Sequence, residues 1–194
     1  TPKKGIEDVG GLTVLKTWLK QRLGLFSGDA RKAGINSPKG FIAAGIGGTG
    51  KSLIARATAA LCNVGLVRLD VGKLFDQYQG NTEANIRRAL QTAEAFAPCV
   101  LLIDEIDKGR GKANSGGDSG TSNRVLSTIM TWLQDKKSEV FVIGTCNHLS
   151  MLDPAMLRAG RFDAVFYVDL PSTQAREEIF KIHLDGKMGE IKTA

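Results

Sequence analysis

The octapeptide Gly45-Ile46-Gly47-Gly48-Thr49-Gly50-Lys51-Ser52 fits the pattern G-x-x-x-x-G-K-[ST], whose parts suit a polyphosphate. Glycines at 45, 47, 48 and 50 let successive backbone N–H groups turn inward on an anion. Lys51 is spaced to reach the β- and γ-phosphates, and the Ser52 hydroxyl to ligate Mg²⁺. A second reactive pair, Asp104-Glu105, ends the apolar run Val100-Leu101-Leu102-Ile103. There Asp104 is suited to hold Mg²⁺ through its water shell, and Glu105 to polarise an attacking water. Asn147, which follows Val140-Phe141-Val142-Ile143, is a third candidate, able to hydrogen-bond both that water and the γ-phosphate. A cation clamp, an oriented water and positive charge are what phosphoryl transfer to water requires. Taken singly, the glycines also fit a flexible turn, the acids a strand cap and Asn147 a turn residue.

The elements around these residues favour the chemical reading. Phe41-Ile42-Ala43-Ala44 reads as a buried strand ahead of the glycines, and Leu53 to Leu61 behind them is rich in helix formers. That order sets an anion at a helix N-terminus, where the dipole favours it. Leu12, Leu15, Leu19 and Leu23 predict an amphipathic helix over 11–23, with Trp18 on a neighbouring face. Val64 to Asp70 alternates as a second strand, and 71–80 reads as a loop. Ile86, Ala89, Leu90, Ala93 and Phe96 share one face of the next helix, which Pro98 ends. The Gly-rich stretch 109–120 reads as a mobile insertion, and Val125, Leu126, Ile129, Trp132 and Leu133 line a further helix, with Lys136-Lys137 at its C-terminus. Asp153-Pro154 opens a short helix as N-cap and first residue, 164–170 forms a fifth strand, and 171–184 starts another helix. Strands alternating with helices imply a mostly parallel sheet covered on both faces, with ligands collecting at the strand ends.

The 194 residues carry a net charge of +6, with 42% hydrophobic and 24% charged residues, the profile of a globular chain. No apolar run approaches membrane-spanning length, 1–10 is too polar for a signal peptide, and the start at Thr1 suggests an excised piece. Cys62, Cys99 and Cys146 lack C-x-x-C spacing and read as reduced core residues. With His148 and His183 the only histidines, a His-rich metal site is excluded.

Gly45 to Ser52, Leu101 to Asp107, Asn147 and Leu152-Asp153-Pro154-Ala155-Met156-Leu157-Arg158-Ala159-Gly160-Arg161-Phe162-Asp163 together resemble the AAA family of ring-forming ATPases. The resemblance runs from about Val9 to His183. It implies an α/β fold: a five-stranded parallel P-loop NTPase sheet with helices on both faces over 1–171, and the start of a small helical lid over 172–194. It further implies that Gly47, Gly48, Thr49, Gly50, Lys51, Ser52 and Leu53 hold the phosphates of ATP, with Mg²⁺ on Ser52 and, through water, on Asp104. Lys51, Glu105 and Asn147 then act on the γ-phosphate, while Arg158 and Arg161 act as arginine fingers on nucleotide held by a neighbouring subunit. Asp8-Val9-Gly10 matches the family's adenine-side segment, and Ile179 with His183 its first lid helix.

Within the family, Asp118 to Ser122, Thr131-Trp132-Leu133 and Ala97 to Val100 are most similar to a group encoded in plastids and cyanobacteria. The implied setting is a soluble reducing compartment, cytoplasmic or like the plastid stroma, without membrane insertion. The implied partners are copies of the chain in a homo-oligomeric ring, as a hexamer, and a macromolecular client, protein rather than nucleic acid. Tyr78-Gln79-Gly80 stands where protein-translocating relatives carry an aromatic, a hydrophobic residue and a glycine, which makes Tyr78 the candidate client contact. Two alternatives stay open: an ATP-gated assembly switch that threads nothing, and a nucleic-acid-handling ATPase using Lys108, Arg110, Lys112 and Arg124.

Overall fold

The computed structural model describes residues 5–23, 37–72, 82–108, 119–158 and 160–184. Five parallel strands form its sheet: β1 Gly40–Gly45, β2 Gly65–Asp70, β3 Cys99–Asp104, β4 Val140–Cys146 and β5 Ala164–Val168, in the spatial order β2-β3-β4-β1-β5. The helices are α1 Thr13–Leu23, α2 Lys51–Leu61, α3 Thr82–Ala95, α4 Ser119–Asp135 and α5 Thr173–Leu184. Every residue of the inner strands β1, β3 and β4 is buried, as helical cover on both faces requires.

The period-2 alternation of each strand sorts its side chains between two cores. Phe41, Ala43, Val100, Leu102, Phe141 and Ile143 pack with α1 and α2 through Leu15, Leu19, Ile54 and Ala57. Ile42, Ala44, Leu101, Ile103, Val140 and Val142 pack instead with α3 and α4 through Ile86, Leu90, Val125 and Ile129. The first core has an aromatic centre: Trp18 meets Phe41 and Phe166 edge-on, with ring centroids 5.7 and 5.3 Å away. The three-layer α/β architecture expected from the sequence is therefore present.

Several local expectations need correction. α1 begins at Thr13, not at residue 11, because Gly11 and Leu12 both take positive φ, 65° and 54°, which a helix cannot continue. Phe96 is not on the buried face of α3; the helix stops at Ala95 and the ring is 66% exposed. β2 alternates only weakly, with Leu69 alone buried, because it is an edge strand. β5 ends at Val168, leaving Leu170 exposed. Tyr78, Arg110, Lys112 and nearly all of the Gly-rich stretch lie outside the described residues.

Lys136 stands at the C-terminus of α4 as expected, and it is buried there. Only 8% exposed, it donates from Nζ to the Val140 carbonyl at 2.6 Å, while Lys39 Nζ takes over the end of α4 by donating to the carbonyls of Leu133, Gln134 and Lys136. Burial, reinforced by the Lys39 charge, pulls the Lys136 ammonium down from 10.5 to about 8. The unfolded chain then holds the extra proton between these two values, so stability rises with pH across that window. In urea melts from pH 7.5 to 10.5, the protein should gain on the order of 3 kcal/mol relative to Lys136→Met; parallel curves for the two would show that the amine is not desolvated. Cys62, Cys99 and Cys146 are free, and burial raises the thiols of Cys62 and Cys146 to about 11, which keeps both protonated and inert.

Candidate functional site

β1 delivers the chain into the phosphate loop through Gly45, whose φ is 150° and where a Cβ would stand 2.0 Å from the Val168 carbonyl oxygen. Only glycine lets β1 and β5 pair this closely at the point where the chain turns away. The loop ends at Gly50, which caps α2 without a side chain, so the first-turn N–H groups of Lys51 and Ser52 have no intrahelical acceptor and suit an anion. Lys51 is 7% exposed and its Nζ donates to the carbonyls of Gly45 and Ile46, each at 2.7 Å. Desolvation lowers its pKa, against the pull of Cys146, Asp107, Asp104 and Glu105.

The neighbouring strands bring the acids to this loop. Because β4 lies between β1 and β3, Thr145 stands beside Asp104: its Oγ1 donates to Asp104 Oδ1 at 2.5 Å and accepts the Glu105 N–H at 2.9 Å. Ser52 Oγ lies 3.4 Å from both carboxylate oxygens of Asp104. A hydroxyl and a carboxylate at that separation form a hard-oxygen pair able to share Mg²⁺ and its waters, so the residues present fit the cation. On the other side, Arg68 Nη2 donates to Asp104 Oδ2 at 2.6 Å.

Glu105 sits at φ 57°, a strained position for a residue with a Cβ, and its Oε2 is paired with Lys108 Nζ at 2.6 Å. That hydrogen bond is the main reason the Lys108 ammonium is raised above its usual value. Asp107 is buried, and its Oδ2 accepts the N–H groups of Asn147 and His148 at 3.0 Å each, which fixes the turn that presents Asn147. Asn147, Gly47, Gly48, Gly50, Lys51, Ser52, Leu53, Asp104 and Glu105, with Arg68 and Thr145, line one cleft of about 430 Å³.

A second cavity of about 590 Å³ shares Gly48, Gly50 and Leu53 with the first, so the two run together past the loop. Asp8, Val9, Gly10, Thr49, Ile179 and His183 line it. Asp8 spends its carboxylate on the Gly5 N–H, closing its own turn, and Thr49 Oγ1 donates to the Ile46 carbonyl. α5 docks on this segment: Glu178 Oε2 accepts the Gly11 N–H at 2.7 Å, and a Cβ on Gly10 would lie 2.5 Å from Ile179 Cγ1. With Val9, Ile179 and Ile182 in one part and the phosphate loop in the other, the double cleft fits a nucleotide.

Arg158 and Arg161 line neither part of it. Arg158 is exposed, whereas Arg161 is partly buried, with Nη1 on the Ala155 carbonyl and 3.3 Å from Met130 Sδ. The turn that carries them is set by Asp153, whose Oδ1 accepts the Ala155 N–H, with Pro154 as first helical residue, as expected from the sequence. Sequence reasoning missed Thr145 and Arg68 as site residues. Their signal is the sheet order, which puts β4 and β2 on either side of β3.

Residues 41–170 match the family model described as "ATPase family associated with various cellular activities (AAA)", and the chain belongs to that family of ATPases. It is 50% identical over 183 residues to the "Uncharacterized AAA domain-containing protein ycf46" of Guillardia theta, covering 94% of this chain and 36% of that protein. The protein of the same name in Pyropia yezoensis is 51% identical over 177 residues, 91% of this chain and 36% of that one. A "Cell division cycle protein 48 homolog" of Archaeoglobus fulgidus is 37% identical over 186 residues, 93% of this chain and 25% of that protein. The resemblance read from the sequence is borne out for both family and subgroup. The chain spans about a third of the ycf46 relatives it matches.

Proposed function

We propose that the chain binds ATP with Mg²⁺ across the double cleft and hydrolyses it as one subunit of a ring, with the arginines of one copy completing the site of the next. The observation that carries this reading is the convergence of the loop N–H groups, Lys51, Ser52, Asp104, Glu105 and Asn147 on a single cleft. The phosphates belong on the N–H groups and Lys51, and the base beside Val9, Gly10, Ile179 and His183. Mg²⁺, held by Ser52 and by Asp104 through water, would supply charge neutralisation on the β- and γ-oxygens. Glu105 takes the proton of the attacking water, and Asn147 hydrogen-bonds that water and the γ-phosphate. In the present conformer Glu105 is tied to Lys108, so turnover requires its carboxylate to exchange the ammonium for a water. Phosphate release measured with and without a divalent-cation chelator tests the reading; a rate unchanged by chelation contradicts the assignment of Ser52 and Asp104.

The lid prediction concerns Gly10. Its contact with Ile179 leaves no room for a methyl, so Gly10→Ala should push α5 outward and open the base side of the cleft. Affinity for ATP should fall about tenfold, one lost apolar side-chain contact plus altered docking of the base, while inorganic phosphate binding is unchanged. Unaltered ATP affinity would remove α5 from the site.

We also propose, on family likeness, a hexameric ring, a protein client and residues 172–194 as the start of a helical lid, of which 185–194 lie outside the described residues. A reducing cytoplasmic or plastid-like setting suits the free cysteines. No described helix is long and apolar enough to cross a membrane. Threading of a polypeptide past Tyr78 rests on the sequence match alone and is tested by client unfolding with Tyr78→Ala, where lost client work with retained hydrolysis supports it.

A further inference from the structure

We propose that Arg68 is a second phosphate-binding cation supplied by the same chain, held on Asp104 while the cleft is empty and transferred to the polyphosphate when nucleotide enters; this rests on the nucleotide reading above. Arg68 belongs to the edge strand β2, opposite Leu102 in the β2–β3 register, and its side chain reaches to Asp104 two residues further along β3. The guanidinium borders the same cleft as Lys51, Ser52 and Asn147.

Three facts set its role apart from that of a surface ion pair. First, the partners differ sharply in exposure: the Asp104 side chain is 9% exposed and that of Arg68 53%, so the carboxylate is fixed and the arginine is free to move. Second, the other cations nearby are already engaged, Lys51 on the carbonyls of Gly45 and Ile46 and Lys108 on Glu105. Arg68 is thus the cation paired directly with Asp104 among the described residues, while Lys51 attracts it without a direct contact. Third, Asp104 Oδ2, which Arg68 occupies, lies 3.4 Å from Ser52 Oγ and forms one side of the pair suited to a hydrated divalent cation. Guanidinium and dication therefore compete for one oxygen. When the harder ion takes it, the displaced guanidinium has a planar fork of N–H donors and a polyphosphate as its nearest new acceptor. The exchange keeps Asp104 neutralised at every stage and, once the dication holds Asp104, adds a guanidinium contact to the nucleotide.

Calorimetric titration of ATP and AMP, with Mg²⁺ and with chelator, tests this on the wild type, Arg68→Gln, Arg68→Lys and Lys51→Ala. With Mg²⁺, Arg68→Gln should lose about ten- to a hundredfold in affinity for ATP, the loss of a hydrogen bond between charged groups, and with chelator, where nothing displaces the guanidinium from Asp104, the loss should be smaller. AMP should bind as before, Arg68→Lys should recover part of the loss, and the empty Arg68→Gln protein should melt at lower temperature. An affinity for ATP with Mg²⁺ equal to wild type, or an equal loss for ATP and AMP, overturns the proposal and leaves Arg68 as a counter-ion of Asp104. Normal ATP binding by Lys51→Ala would instead defeat the nucleotide reading itself, so the two failures are distinguishable. If Arg68→Gln does not fold, Arg68→Lys alone decides: it keeps the charge but not the fork, and an unchanged affinity for ATP with Mg²⁺ counts against transfer.

Discussion

Lys51→Ala should abolish measurable ATP binding, whereas Glu105→Gln should bind ATP as well as the wild type and cease to turn it over. The two residues share a cleft yet do different work. Lys51 is 7% exposed, burial lowers its pKa and its ammonium rests on two loop carbonyls, so a phosphate that displaces them meets a charge already partly desolvated and aimed. Removing it costs a hydrogen bond between charged groups, about a hundredfold in affinity by itself, and also removes the positive charge that offsets Asp107, Asp104 and Glu105 against an incoming polyphosphate, which together take ATP binding below detection. In the proposed role Glu105 acts on the attacking water, and glutamine in its place keeps the volume and the backbone N–H bond to Thr145 while losing basicity and the ion pair with Lys108. A positioned general base contributes about 10²- to 10⁴-fold to rate. Calorimetry and phosphate release separate the two; a Glu105→Gln protein that hydrolyses ATP at the wild-type rate would assign water activation elsewhere.

The second large effect concerns the arginines outside the cleft. Arg158→Ala and Arg161→Ala should leave ATP affinity nearly intact and slow hydrolysis by about 10³-fold or more, since a guanidinium placed on the transferring phosphoryl group acts mainly in the transition state. Neither residue lines the cleft of its own chain, as the geometry of an arginine supplied in trans requires. Arg158 gives the cleaner measurement, because it is exposed and its loss disturbs no packing. Arg161 also holds the Ala155 carbonyl, so its alanine variant should lose about 1 kcal/mol of stability as well. Mixing Arg161→Ala with Lys51→Ala subunits should restore part of the rate at interfaces where an intact cleft meets an intact arginine. An assembled mixture with no recovery would place the arginines in a structural role.

What the sequence disclosed follows from which parts of the chemistry are local. The phosphate loop, the strand ahead of it and the helix behind it occupy one continuous stretch, and the apolar run ending in Asp104-Glu105 is another, so both were legible from residue order alone. The partners of those acids were not. Thr145 meets Asp104 only because β4 is inserted between β1 and β3, and Arg68 only because β2 is the neighbour on the other side. Strand adjacency is a tertiary choice that no local pattern carries. Phe96 misled because periodicity counts residues past the point where the helix stops, and the burial of Lys136 had no local signal, because Lys39, distant in sequence, takes the helix-end carbonyls. The paired acids also concealed a restraint: Glu105 is bound to Lys108, which is three residues away in sequence and gives no signal by its type.

The central claim is hydrolysis at a site completed between copies of the chain, and the dependence of specific ATPase rate on protein concentration tests it most directly. With saturating Mg²⁺ and ATP, light scattering follows assembly while phosphate release is recorded in the same samples. The rate per subunit should rise steeply as copies associate and level off when assembly is complete, with Arg158→Ala protein assembling over the same range without the rise. A rate per subunit that stays constant while separate chains become a ring would contradict the account, since each cleft would then be hydrolysing ATP alone.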